Sequence, residues 1–209
     1  MQSCQISSTE PPPCTYGGTG TLHPIDFPQL SHLQVSSIRG PLTRNAIRCI
    51  QTIPLGDPGL LTDRLISPSK EKLHAWGVIP HHSQVEQSIF KELSSAHHAA
   101  YLSMCATPDT IGTIEKIASC ERIASTSLHG LIVADAFHIP NLWISKDAQE
   151  KRISWKFIDY FLSVGRSLFE SRPIPPSYDL NDLTDSEHLD YFDIVESKKV
   201  EIAAAFPPI

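Results

Sequence analysis

The stretch Ile117 to Trp143, IASCERIASTSLHGLIVADAFHIPNLW, decides how this chain folds. Its Glu121 to Ser125 part (ERIAS) is short and bounded, which suits a buried strand. Ser125, Thr126 and Ser127 follow, and each can accept backbone N–H bonds as a helix N-cap. A helix is predicted from Leu128 to Phe137, and Pro140 ends it because the residue before a proline is pushed out of the helical region. A second strand starts at Asn141. His129 therefore falls in the first turn of a helix that follows a strand. Free N–H groups and the positive end of the helix dipole favour an anion there, and an imidazole adds a proton or a positive charge. In most helices the same residue types only cap or pack, so the segment gains its meaning from the rest of the chain.

Working outward, the same rhythm of strand and helix repeats. Trp76 to Ile79 is a short apolar strand ending in Pro80-His81-His82, and Val85, Ile89 and Leu93 recur at helical spacing. Ala100 to Met104 is a strand, and Thr107-Pro108-Asp109 opens a helix with a buried stripe of Ile111, Ile114, Ile117 and Ala118. After Asn141 to Ile144, a strand, an amphipathic helix is predicted over Lys151 to Val164. Alternation at these lengths implies an α/β fold, a parallel sheet with helices on both faces. Ligands of such sheets bind beyond the carboxyl ends of the strands. Asp57, His81, His82, Ser125 to His129 and Ser145-Lys146 all fall at or just past predicted strand ends.

Upstream, Leu33 to Ile38 reads as a strand that runs into Arg39-Gly-Pro, with Pro41 suited to the first position of a helix. Arg39 at that junction can grip a phosphate or carboxylate with its fork of donors, or simply pair with an acid. Glycine and proline around Asp57 (Leu55-Gly-Asp-Pro-Gly-Leu-Leu61) force a turn that its carboxylate can bond. Residues 1–34 are rich in Pro, Ser, Thr and Gly. Tyr16-Gly-Gly-Thr-Gly-Thr21 matches neither common phosphate-loop pattern, so an irregular lead-in is expected. Arg172-Pro-Ile-Pro-Pro176 reads as a turn or linker, followed by a final helix within Ser186 to Ala204.

Composition narrows the function. The chain has 209 residues, 41% of them hydrophobic, which is enough for a real core. A formal net charge of −6 argues against nucleic acid as a partner. Ten histidines include no metal-ligating spacing, so no metal is expected. Five cysteines without a paired pattern, and a start lacking both basic and apolar regions, point to reduced thiols in a cytoplasmic protein. No run of residues approaches the length of a membrane span.

Assembled, these pieces resemble the polysaccharide pyruvyl transferase family, especially the exopolysaccharide ketal-pyruvate transferases of bacteria. The resemblance lies in IRGPLTR (38–44), LGDPGLL (55–61), VIPHH (78–82), STSLHGLIVADAFHIPNLW (125–143) and KFIDYFLSVG (156–165), in the family's order. It implies a Rossmann-like half of a GT-B-like architecture. It also implies transfer of the enolpyruvyl group of phosphoenolpyruvate, as a ketal, to a sugar of an exopolysaccharide or its lipid-linked precursor. No further cofactor is implied. His129 then resembles the histidine that contacts phosphoenolpyruvate and acts as acid, and Arg39 the arginine that holds its phosphate or carboxylate. Asp57, His81, His82, Ser125, Thr126 and Ser127 are candidates for substrate binding. Some family members carry an arginine where Ser127 stands here.

The resemblance also orders the chain. Residues 1–34 are the lead-in, a remnant of a first domain; 35–170 the pyruvyl transferase domain; and 171–209 a linker and helix. The missing first domain, or a second copy, is an expected partner beside the saccharide acceptor, and a peripheral place at the inner membrane fits a lipid-linked acceptor. Two other readings share the same anion site: a GT-B-type glycosyltransferase using a nucleotide-sugar, and an inactive domain that binds a sugar or a partner chain.

Overall fold

A computed structural model describes residues 15–16, 20–21, 34–49, 51–67, 71–104, 109–147, 154–167, 170–180 and 190–206. Its centre is a five-stranded, all-parallel sheet in the order β4-β3-β5-β6-β7, formed by β3 (His74–Ile79), β4 (Ala100–Tyr101), β5 (Cys120–Ser125), β6 (Asn141–Ser145) and β7 (Arg172–Pro173). A separate parallel pair joins β1 (Thr15–Tyr16) to β2 (Gln34–Val35). The helices are α1 (Pro41–Ala46), α2 (Ser88–Ala96), α3 (Thr110–Ala118), α4 (Leu128–Ala136), α5 (Trp155–Ser163) and α6 (Phe192–Ala205). The predicted α/β sheet is therefore present.

Side-chain alternation along the strands builds two cores. Trp76 and Val78 of β3, Ala124 of β5 and Leu142 and Ile144 of β6 face Phe90 and Leu93 of α2. Ile79 and Ile123 face the other way, against Ile114 and Ile117 of α3 and Val133 and Ala134 of α4. Trp143 extends that second face to Phe157, Tyr160 and Phe161 of α5 and to Ile202 of α6. Successive strand residues point to opposite faces, so helices on both sides cover both sets.

The topology contains one reversal. From β3 the chain crosses through α2 to β4 on one side; from β5 it crosses through α4 to β6 on the other. The carboxyl ends of β3 and β5 are neighbours, in register from His74–Cys120 to Ile79–Ser125. The loops leaving them diverge, which opens the crevice where ligands of such sheets bind.

α4 runs through the heart of the molecule. Of its nine residues, all are buried except His129. The helix ends at Ala136, one residue earlier than expected: His138 takes a left-handed conformation (φ 53°) and the Ile139 N–H closes on the Ala134 carbonyl. At α3, Asp109 caps the start by accepting from the Gly112 N–H at 2.8 Å. Ile111 departs from the predicted stripe. It is 45% exposed, because α3 lies on the sheet through Ile114, Ile117 and Ala118 only. The predicted helix at Val85 starts later, at Ser88, after a 3-10 turn over His82–Gln84. Arg172-Pro173 adds an edge strand to β6 where a turn was expected; Pro does no harm at an edge that needs few donors. Thr107 and Pro108 lie outside the described residues, as do 151–153 at the expected start of α5.

Candidate active site

The motif at the start of α4 is built by its own side chains. Ser125, fully buried, accepts the Ser127 N–H on its hydroxyl at 2.9 Å and donates to the Ile79 carbonyl at 2.9 Å. Thr126 accepts the His81 N–H at 2.7 Å and donates to Gln84 Oε1 at 2.6 Å. The loops after β3 and β5 are thereby stitched together. Gly130 permits the close approach: a Cβ there would stand 2.6 Å from Ser125 Oγ and 3.0 Å from an Ile79 methyl. Ser127 is the N-cap residue but makes no side-chain cap bond. The first-turn amide donors therefore receive no side-chain cap from Ser127.

Around this helix start stand Asp57 and Arg39. Asp57 begins a 3-10 helix (Pro58–Arg64) and accepts the Gly59 N–H at 2.9 Å. That helix lies on α4 at close range, since a Cβ on Gly59 would meet an Ile132 methyl at 2.8 Å. Burial pushes the Asp57 carboxyl above its ordinary value; the Gly59 N–H and the charges of His129 and Arg39 pull it back. Asp57 thus lies within electrostatic reach of both the imidazole and the guanidinium.

Arg39 is buried and engaged. Its Nε lies 3.3 Å from Asp159 Oδ2, and a terminal nitrogen donates to the Thr21 carbonyl. Asp159, fully buried in α5, also accepts the N–H groups of Leu42 (2.8 Å) and Thr43 (3.0 Å) and the Thr43 hydroxyl. It therefore caps α1 from a distant helix. Gly40 has no room for a side chain, because a Cβ would lie 1.9 Å from the Asp159 carbonyl oxygen. The RGPLT motif is explained by this clasp. Gly20 and Thr21 close over it: the Thr21 hydroxyl accepts from Trp155 Nε1 at 2.8 Å, and a Cβ on Gly20 would collide with the guanidinium. These two residues of the expected lead-in are thus packed against the fold.

A cleft of about 340 Å³ opens at the carboxyl ends of β3, β5 and β6, lined by twelve residues: His81, Thr126, Trp143, Ser145, Lys156 and seven others, Gln84 and Ser154 among them. No carboxylate lines it among the described residues. His81 lies against the exposed His82, with ring centroids 3.9 Å apart and the planes tilted by 43°. Burial lowers the His81 imidazole below its ordinary value, and the neighbouring His82 and Lys156 lower it further. Burial likewise lowers the Lys156 ammonium, with Arg39 adding repulsion. The cleft and the trio of Arg39, Asp57 and His129 are thus electrostatically one neighbourhood, rich in cations and amide donors.

Of the predicted residues, His81 and Thr126 line the cleft, Arg39, Asp57 and His129 form the adjoining group, and Ser125 is fully occupied in the loop scaffold. Sequence reasoning missed Lys156, Asp159 and Gly20-Thr21. Asp159 had a signal, a carboxylate on the buried stripe beside Phe157, Tyr160 and Phe161. Among the described residues no cluster of three metal-ligating side chains occurs, and no helix is long and apolar enough to cross a membrane.

A five-stranded parallel sheet with a polar cleft at its switch point defines an α/β domain. The chain belongs to the polysaccharide pyruvyl transferase family, whose profile matches residues 28–147. It is 26% identical over 161 residues to the succinoglycan biosynthesis protein ExoV of Rhizobium meliloti, covering 77% of this chain and 49% of that protein. It is also 32% identical over 122 residues to an uncharacterized protein of Acanthamoeba polyphaga mimivirus, covering 56% of this chain and 42% of that protein. The chain thus spans less than half the length of either curated relative. No solved structure matches it.

Proposed function

We propose that this domain binds phosphoenolpyruvate and transfers its pyruvyl group, as a ketal, to a sugar of an exopolysaccharide or of its lipid-linked precursor, working in the cytoplasm or at the inner face of the membrane. The observation that carries the reading is His129, the one exposed residue of an otherwise buried helix that starts past the carboxyl end of β5, within electrostatic reach of Asp57. Family membership and the likeness to a succinoglycan biosynthesis protein support the same class of chemistry.

Phosphoenolpyruvate carries about three negative charges near neutral pH, so its pocket needs cations and N–H donors. The start of α4 and the cleft beside it supply both, with Arg39 adding its charge from behind. In the reaction a proton goes to the methylene carbon, one sugar hydroxyl adds to the carbon bearing the phosphate, the C–O bond to phosphate breaks, and a second hydroxyl closes the ketal. The two hydroxyl protons leave to bases or solvent, and phosphate is released. His129 donates the proton to the methylene carbon. Asp57 lies within electrostatic reach of both His129 and Arg39.

The test is phosphate release from phosphoenolpyruvate in the presence of oligosaccharide acceptors. His129→Ala is expected to lower the rate by about 10²–10⁴ with an unchanged melting temperature. Full activity in that variant removes His129 from the mechanism. Turnover of a uridine diphosphate sugar in place of phosphoenolpyruvate would replace this reading with a glycosyltransferase.

A further inference from the structure

We infer that Lys156 is the residue that grips the phosphate end of the substrate, with Arg39 acting as a positioning residue behind it. The inference rests on the reading of the crevice as a phosphoenolpyruvate site and assigns the cation within it. Lys156 sits in the first turn of α5 and lines the cleft together with the hydroxyl-bearing Thr126, Ser145 and Ser154. Its ammonium lies 5.5 Å from the centre of the Phe157 ring, and among the described residues no carboxylate is within ion-pair distance of it.

The contrast with Arg39 decides the assignment. Arg39 already has Asp159 and the Thr21 carbonyl, and at 7% exposure its guanidinium has little surface left for a ligand. Lys156 is half-buried, close enough to Arg39 and His81 to feel both, and has no counter-charge at ion-pair distance among the described residues. A cation held among other cations, in a cleft without a carboxylate, is stable only when an anion enters. A compact ammonium ringed by hydroxyls suits a phosphate, whereas a planar carboxylate is better matched by the fork of an arginine.

The experiment is calorimetric binding of inorganic phosphate and of phosphoenolpyruvate to the whole chain, for wild type, Lys156→Met and Lys156→Arg. Loss of one charge-assisted contact weakens binding by about 10- to 100-fold, and that loss is expected for both ligands in Lys156→Met. Lys156→Arg is expected to retain most of the affinity. Far-ultraviolet circular dichroism and thermal melting verify folding; should the methionine variant unfold, Lys156→Gln carries the same expectation. Unchanged affinity in Lys156→Met or Lys156→Gln overturns the inference. If wild type binds phosphate through Lys156 but holds phosphoenolpyruvate no more tightly than phosphate, the subsite stands and the pyruvyl-transfer reading fails. If wild type binds neither ligand, both fall.

Discussion

The two ends of the central sheet treat charge in opposite ways. At the amino end, Asp135 in the last turn of α4 is fully buried and fully partnered. It accepts from the Tyr160 hydroxyl (2.7 Å), the Tyr191 hydroxyl (2.7 Å) and Asn141 Nδ2 (2.6 Å), with Arg166 Nη1 at 3.6 Å. Arg166 in turn donates to Asn141 Oδ1 at 2.8 Å and lies over the Tyr191 ring. Burial and the neighbouring carboxylate push both tyrosine hydroxyls far above the ordinary range. Beside this node Lys199 of α6 is almost fully buried, bonded to Asp63 at 2.9 Å and to the Ala136 carbonyl at 2.6 Å, where it completes the end of α4. At the carboxyl end, by contrast, Lys156 and His81 line a cleft that has no carboxylate among its described residues. A fully satisfied network fixes a structure; an unsatisfied one of a single sign is ready for a ligand.

The largest effect should come from breaking the amino-end node. Asp135→Ala leaves the buried Arg166 charge and two tyrosine hydroxyls without their acceptor. The expected cost is about 3–5 kcal/mol of stability, read from the urea unfolding midpoint. A loss below about 1 kcal/mol would mean that water or other groups replace the carboxylate.

Asp159→Ala comes next, with an expected loss of about 2–3 kcal/mol from two orphaned N–H groups and a hydroxyl at the start of α1. Because Asp159 also pins Arg39, this variant should weaken phosphoenolpyruvate binding as well as stability. Asp135→Ala should weaken binding only in proportion to unfolding. Equal behaviour of the two, in binding per folded molecule, would erase the distinction between the ends.

The smallest effect is a pH dependence at His81. Its folded form holds a proton less readily than the unfolded chain does. The unfolded state therefore takes up the proton first as pH falls, and the stability present above the unfolded value is lost as pH drops through it towards the lower, folded value. His81→Gln should flatten this loss of melting temperature between about pH 8 and pH 5.5, on either side of the ordinary histidine range. A steeper loss in the variant would reverse the assigned sign.

Much of the sheet was legible beforehand, because strands β3, β5 and β6 and helices α4 and α5 announce themselves by apolar runs and helical spacing. The glycine of SLHG and the proline after α4 also have local reasons that a sequence displays. The strand at Ala100 was expected, and β4 keeps only its first two residues; the short edge strand β7 carries too few residues to set a period, and Ile111 reads as core until the tilt of α3 is known. The site was half legible. Residues just past strand ends were readable as candidates, since topology sends them to one edge. Asp159 and Lys156 belong to an ordinary amphipathic helix, and nothing in their spacing tells which of them meets Arg39 and which meets the cleft.

The sequence by itself determined the alternation of strand and helix, the open helix start at His129 and the absence of a membrane-spanning run, because each depends on residues within a few positions of one another. Only the tertiary structure decided that Arg39 is held by a carboxylate more than a hundred residues away, that Lys156 has none at ion-pair distance among the described residues, and that the loops after β3 and β5 meet at the point where the chain reverses direction. Those relations are made by packing across the sheet, and charge follows from what packing leaves unpaired.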